Sequence, residues 1–161
     1  AGKSSLGRAL AERMKVPFFE ISKEIERLYG GSIGVLLEIN GQGAMRRYEA
    51  AAIEEICRNH AAAVISAPGA IVSDGSLYDM LLSSSWSIWL EAKPEDHIAR
   101  VVAQGDLRPM AGNRAAMNDL KSILAARSPD YARADARLDT SAQDFDATLE
   151  RLYALASNLV K

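Results

Sequence analysis

The chain contains a single cysteine, Cys57, in 161 residues. It therefore forms no internal disulfide and no cysteine-based zinc cluster. Two histidines, His60 and His97, are too few for a histidine metal site. No apolar run reaches the roughly 18 residues that a membrane-spanning helix needs. An excess of positive charge is missing as well. Nineteen Lys and Arg stand against 21 Asp and Glu, a formal net charge of −2, so the domain has no field for wrapping nucleic acid by itself. What is present is the composition of an ordinary globular domain, 48% hydrophobic and 25% charged. The lone thiol suits a reducing compartment, and the expected location is the cytoplasm.

Helical and strand patterns alternate along the chain. Leu6, Leu10 and Met14 are spaced as one face of a helix, and Val16 to Ile21 is short, aromatic and β-branched like a strand. Ser22 is the expected N-cap of the next helix, which Gly30-Gly31 stops. Ser32 caps a short helix, Asn40-Gly41 turns, and Gln42 to Asn59 forms a long helix. Ala63 to Ala67 and Trp86 to Ala92 read as strands, with a short helix, Tyr78 to Ser84, between them. A helix from Pro94 to Gln104 follows, then an irregular polar stretch at 105–114 with the length of a lid. Ala115 to Arg127 is helical and ends at Ser128-Pro129, Ala136 to Asp139 is a last strand, and Asp144 to Val160 a last helix. The alternation predicts an α/β fold, one domain over 1–161 with a parallel sheet and helices on both faces. Cys57 is expected in the core, and Trp86 and Trp89, three apart on a strand, on opposite faces.

The chemistry begins at the first residues. Ala1-Gly2-Lys3-Ser4-Ser5 is the back half of the phosphate-binding P-loop, G-x-x-x-x-G-K-[ST]. Amides at a helix N-terminus face an anion there, Lys3 supplies a mobile charge, and Ser4 supplies a hydroxyl for Mg²⁺. The motif's front half and its strand are expected upstream of Ala1. Three arginines stand in distinctive settings: Arg46 in Met45-Arg46-Arg47-Tyr48-Glu49, Arg108 in Leu107-Arg108-Pro109-Met110, and Arg127 before Ser128-Pro129. Each suits bidentate binding of carboxylate or phosphate.

This order of motifs resembles shikimate kinase over essentially the whole chain. Phe18-Phe19-Glu20-Ile21-Ser22-Lys23-Glu24-Ile25-Glu26 is similar to the family's F-x-D-x-D-x-x-I-E, and Met45 to Glu49 to its F-R-x-x-E. Ser66-Ala67-Pro68-Gly69-Ala70 stands where the family has a triple glycine, Arg108-Pro109 in its lid segment, and Arg127 to Tyr131 at its R-x-P-x-Y. The resemblance implies a three-layer P-loop fold. Three departures fall on substrate motifs. Glu20 and Ser22 replace the two aspartates, and a serine neither holds a negative charge nor acts as a base near neutral pH. Pro68 and Ala70 replace two glycines, removing a donor and adding a side chain.

Those departures, with Ile71 to Asp74, Gln104 to Met110 and Arg133 to Asp135, are also similar to the effector domain of benzoyl-CoA-responsive bacterial transcriptional regulators. That likeness implies an upstream helix-turn-helix domain that binds DNA, a homodimer, and benzoyl-CoA as effector. Gly2, Lys3, Ser4, Ser5 and Arg108 would hold the coenzyme phosphates. Glu20, Ser22, Arg46, Pro68, Gly69, Ala70 and Arg127 would line the effector pocket. The expectation is therefore a ligand sensor without phosphoryl transfer and with no required cofactor. The alternative is an active small-molecule kinase using ATP and Mg²⁺.

Overall fold

The computed structural model describes residues 2–91, 114–141 and 144–160, and the chain separates into two compact units, Gly2–Ser85 and Trp86 onward. In the first unit α1 (Gly2–Met14) runs into β1 (Phe18–Glu20), α2 (Ile21–Tyr29) and α3 (Ile33–Asn59), then β2 (Val64–Ser66), a 3₁₀ turn (Gly69–Ser73) and α4 (Gly75–Ser84). β1 and β2 pair in parallel, with Phe18 beside Val64, Phe19 beside Ile65 and Glu20 beside Ser66. The intervening helices make the crossover that a parallel pair requires. The core gathers Leu6, Leu10 and Ala11 of α1, Ile21 and Ile25 of α2, Leu36, Ile53 and Ile56 of α3, and Leu77 and Tyr78 of α4.

The sequence marks most boundaries by identifiable chemistry. Gly30 ends α2 with φ 82°, a left-handed conformation that glycine adopts without a side-chain clash. Ser32 caps α3, its hydroxyl accepting from the Val35 amide at 3.2 Å. Gly41, at φ 82° and ψ 177°, breaks α3 into the two expected helical pieces. Ser22 is not the cap of α2. The helix starts directly after the strand at fully buried Ile21, and Glu20 takes the cap position without a side-chain cap bond. Cys57 is exposed rather than in the core, one position beyond buried Ile56 on α3.

In the second unit β3 (Ile88–Glu91) pairs in parallel with β4 (Ala136–Asp139), accompanied by α5 (Arg114–Tyr131) and α6 (Phe145–Leu159). Asp144 caps α6 by accepting from the Ala147 amide at 2.7 Å. The expected stop at Ser128-Pro129 does not occur. α5 runs on through Pro129 to Tyr131, whose ring stacks on Trp89 at 5.2 Å, and the Ala132 amide closes on the Ser128 carbonyl at 3.0 Å. Trp86 precedes β3 and is exposed. The helix expected at Pro94–Gln104, the lid near 105–114 up to Asn113, and His97 lie outside the described residues. Among the described residues no helix is long and apolar enough to cross a membrane.

Candidate active site

Ligands of parallel α/β folds bind at the carboxyl ends of the strands. In the first unit those ends are Glu20 on β1 and Ser66 on β2, side by side in the register. α1 packs on both strands, and its first turn carries Gly2, Lys3, half-buried Ser4 and exposed Ser5. The Lys3 ammonium donates to the carbonyl oxygen of Ala67 at 2.8 Å, across 64 positions of sequence. Lys3 keeps much of its surface open, yet the protein atoms around its ammonium push its pKa below the usual lysine value by desolvation. A desolvated cation whose partner is one neutral carbonyl is matched to an incoming anion. Ala67 leads into Pro68, which precedes the 3₁₀ turn holding Gly69 and Ala70. Lys3 therefore reaches the residue that leads into the strip at 68–70.

Glu20 does not cap α2 because its carboxylate is turned toward α1. Its Oε1 lies 3.6 Å from Nη2 of Arg8. Ser22 is half-buried in the first turn of α2, two residues on. A serine hydroxyl and a carboxylate are the hard oxygen donors that Mg²⁺ takes when substrate phosphates supply the rest, so Ser4 and Glu20 fit that ion.

Arg46 sits on α3 and is tied to Glu49 one turn on, its Nη1 donating to both carboxylate oxygens at 3.0 and 3.2 Å. Glu49 is 1% exposed. Burial raises its pKa above the usual glutamate value, against the opposing pull of Arg46, and the charge of Asp74 raises it further. Asp74 caps α4, accepting from the Leu77 amide at 2.9 Å. Arg46 engages Glu49 through one nitrogen, and its other nitrogens remain for an anion. The sequence pointed to Arg46 as a site residue and carried Glu49, Ala67 and Asp74 only as letters within motifs, and it gave no sign of Arg8. The i, i+3 spacing of Arg46 and Glu49 was the signal for their pairing. Arg127 is half-buried on α5 in the second unit, and Arg108 lies outside the described residues.

The family model described as shikimate kinase matches residues 1–155. The chain belongs to the shikimate kinase family. A shikimate kinase of Rhodopirellula baltica is 28% identical over 163 residues, covering 99% of this chain and 87% of that protein. One from Pseudomonas paraeruginosa is 30% identical over 131 residues, 81% of this chain and 75% of the other. Among solved structures, shikimate kinase from Acinetobacter baumannii in complex with shikimate superposes with a TM-score of 0.80 at 25% identity, covering 99% of this chain and 89% of that one. The enzyme from Bacteroides thetaiotaomicron gives 0.81 at 21% identity, covering 97% and 92%. The α/β P-loop fold, with parallel strands and helices on both faces, is thus the fold expected from the sequence.

The comparisons overturn the regulator reading. With it go benzoyl-CoA as effector, the DNA partner reached through a helix-turn-helix domain, the homodimer that came with it, the absence of a required cofactor and the absence of enzymatic activity. Substitutions at Ser22, Pro68 and Ala70 are local, whereas the motif order of the whole chain is the family's. Phosphoryl transfer runs through a loose transition state and depends chiefly on positioning and charge stabilisation. The change at Ser22 removes a carboxylate from one substrate motif, whereas the family match spans residues 1–155.

Proposed function

We propose that this chain is a shikimate kinase that transfers the terminal phosphoryl group of ATP, with Mg²⁺, to a hydroxyl of shikimate. The observation that carries the reading is the bond from Lys3 to the Ala67 carbonyl. It sets the phosphate-binding turn of α1 against the strip at Pro68, Gly69 and Ala70, where an acceptor beside the transferred group would lie.

Gly2, Lys3, Ser4 and Ser5 bind the nucleotide phosphates through the first-turn amides, the ammonium and the hydroxyls. Ser4 and Glu20 would hold Mg²⁺, which would supply positive charge to the phosphate oxygens when bound. Arg46 takes the acceptor's carboxylate on the edge that Glu49 leaves open. Ser22 orients an acceptor hydroxyl by a hydrogen bond. The hydroxyl oxygen forms its bond to the γ-phosphorus, the bond from that phosphorus to the bridging oxygen breaks, ADP keeps the electron pair, and the hydroxyl proton passes to solvent. An ATP-using kinase with one unpaired thiol would suit the cytoplasm.

The test is ADP release in the presence of ATP and Mg²⁺, with and without shikimate, for the native chain and Lys3→Ala. Release that requires shikimate and disappears in Lys3→Ala supports the reading. Release independent of shikimate, or none, overturns it.

A further inference from the structure

We infer that Arg8 is a positioning residue for Glu20, and that through Glu20 it sets how strongly the site holds the divalent cation of its nucleotide. The inference rests on the kinase reading above. Phe18 and Glu20, two apart on β1, project to the same face of the strand. α1 lies against it so closely that a Cβ on Gly7 would stand 2.7 Å from Cε1 of Phe18. Only glycine lets helix and ring approach in this way. The next residue, Arg8, passes over the Phe18 ring with its guanidinium carbon 5.0 Å from the ring centroid, and brings Nη2 to 3.6 Å from Oε1 of Glu20.

The same helix carries Ser4 one turn earlier, on the flank that Arg8 shares. One contact thus registers both oxygen donors, Ser4 through the helix and Glu20 through the ion pair. Glu20 has an alternative, since it stands at the head of α2 where its carboxylate would ordinarily accept from a backbone amide. It makes no such bond. Arg8 holds it off that cap by one oxygen, which leaves Oε2 for a cation. Free glutamate side chains lose considerable rotamer freedom on being fixed, and the ion pair with Arg8 supplies part of that ordering before any ion arrives. Arg8 is 58% exposed along its side chain and Glu20 15%, so the pair steers the carboxylate rather than locking it. Arg8 acts through Glu20 and touches no phosphate or acceptor in this account.

The test is calorimetric titration of ADP into the chain with Mg²⁺ and with a chelator, comparing native protein, Arg8→Met, Arg8→Lys, Glu20→Gln and the Arg8→Met/Glu20→Gln pair. Arg8→Met keeps the stem over Phe18, and thermal melting checks that it folds. The readout is the tightening of ADP binding that Mg²⁺ brings. Arg8→Met is expected to lose about three- to fivefold of it, the scale of an exposed ion pair, with chelated ADP affinity within about twofold of native. Arg8→Lys is expected to restore most of the loss, and in the Glu20→Gln background Arg8→Met is expected to change nothing further. Undiminished Mg²⁺-dependent tightening in Arg8→Met overturns the inference and leaves the kinase reading standing. So does an equal loss with and without Mg²⁺, or an Arg8→Met effect that survives in Glu20→Gln. No Mg²⁺-dependent tightening in the native chain overturns the kinase reading and this inference together.

Discussion

Replacing Glu49 with glutamine removes a charge while keeping the shape of the side chain. Glu49 is 1% exposed and accepts from a single Arg46 nitrogen at 3.0 and 3.2 Å, and its pKa is raised because burial outweighs that cation, with Asp74 adding to the rise. A group whose folded pKa lies above its unfolded value contributes stability that is present below the unfolded pKa. That stability is lost as the pH rises through the folded pKa. Glutamine does not titrate. The stability of Glu49→Gln relative to native should therefore improve as the pH rises from below 4.5, the usual glutamate value, toward neutrality. At neutral pH the exchange of a charge-assisted bond for a neutral one costs about 1 kcal/mol, and release from burying a carboxylate offsets much of it. The net change should stay within about 1 kcal/mol. Glu49→Ala, which opens a cavity and strips Arg46 of its partner, should cost about 2–3 kcal/mol. Urea denaturation at several pH values between 4 and 8 reads all three chains. A Glu49→Gln deficit that grows with pH, or exceeds about 3 kcal/mol throughout, would show that Arg46 rather than burial governs the carboxyl.

Arg46→Lys should raise the KM for shikimate about tenfold with little change in the KM for ATP, because a point charge loses the planar donor edge; steady-state kinetics varying each substrate checks it. Gly41→Ala should destabilise the chain by about 1–3 kcal/mol in urea denaturation. At φ 82° and ψ 177° the backbone lies in a region that is essentially glycine's, and among the described residues no neighbour within 4 Å would meet the methyl group. Asp144→Ala should cost about 1 kcal/mol by the same assay through loss of the cap on the Ala147 amide.

The parts of the fold legible in the sequence were those governed by local chemistry. Ser32 caps the helix it was expected to cap, the last helix begins beside Asp144, Gly30 and Gly41 take positive φ where a stop and a turn were expected, and β4 spans Ala136–Asp139 as read. Failures came where a distant partner decided the outcome. Ser22 loses its capping role because buried Ile21 begins the helix earlier, and Pro129 stays helical as its neighbour Tyr131 reaches Trp89. The site shows the same division. Lys3, Ser4, Glu20 and Arg46 were visible as residue types in motifs. The contacts that orient them were not, because Arg8 to Glu20 joins a helix to a strand and Lys3 to Ala67 spans 64 positions. Function was misjudged through single positions. Ser22, Pro68 and Ala70 fall at motifs assigned to the acceptor, whereas Gly2 to Ser5, the turn proposed for phosphate, keep the P-loop pattern.

Phosphoryl transfer to shikimate is decided by mass analysis of shikimate incubated with the chain, ATP and Mg²⁺, beside a Lys3→Ala control. The native chain should add one phosphoryl group to shikimate, and the Lys3→Ala rate should fall by at least about 100-fold, the scale of losing a charge-stabilising donor. Shikimate recovered unmodified from the native reaction would contradict it.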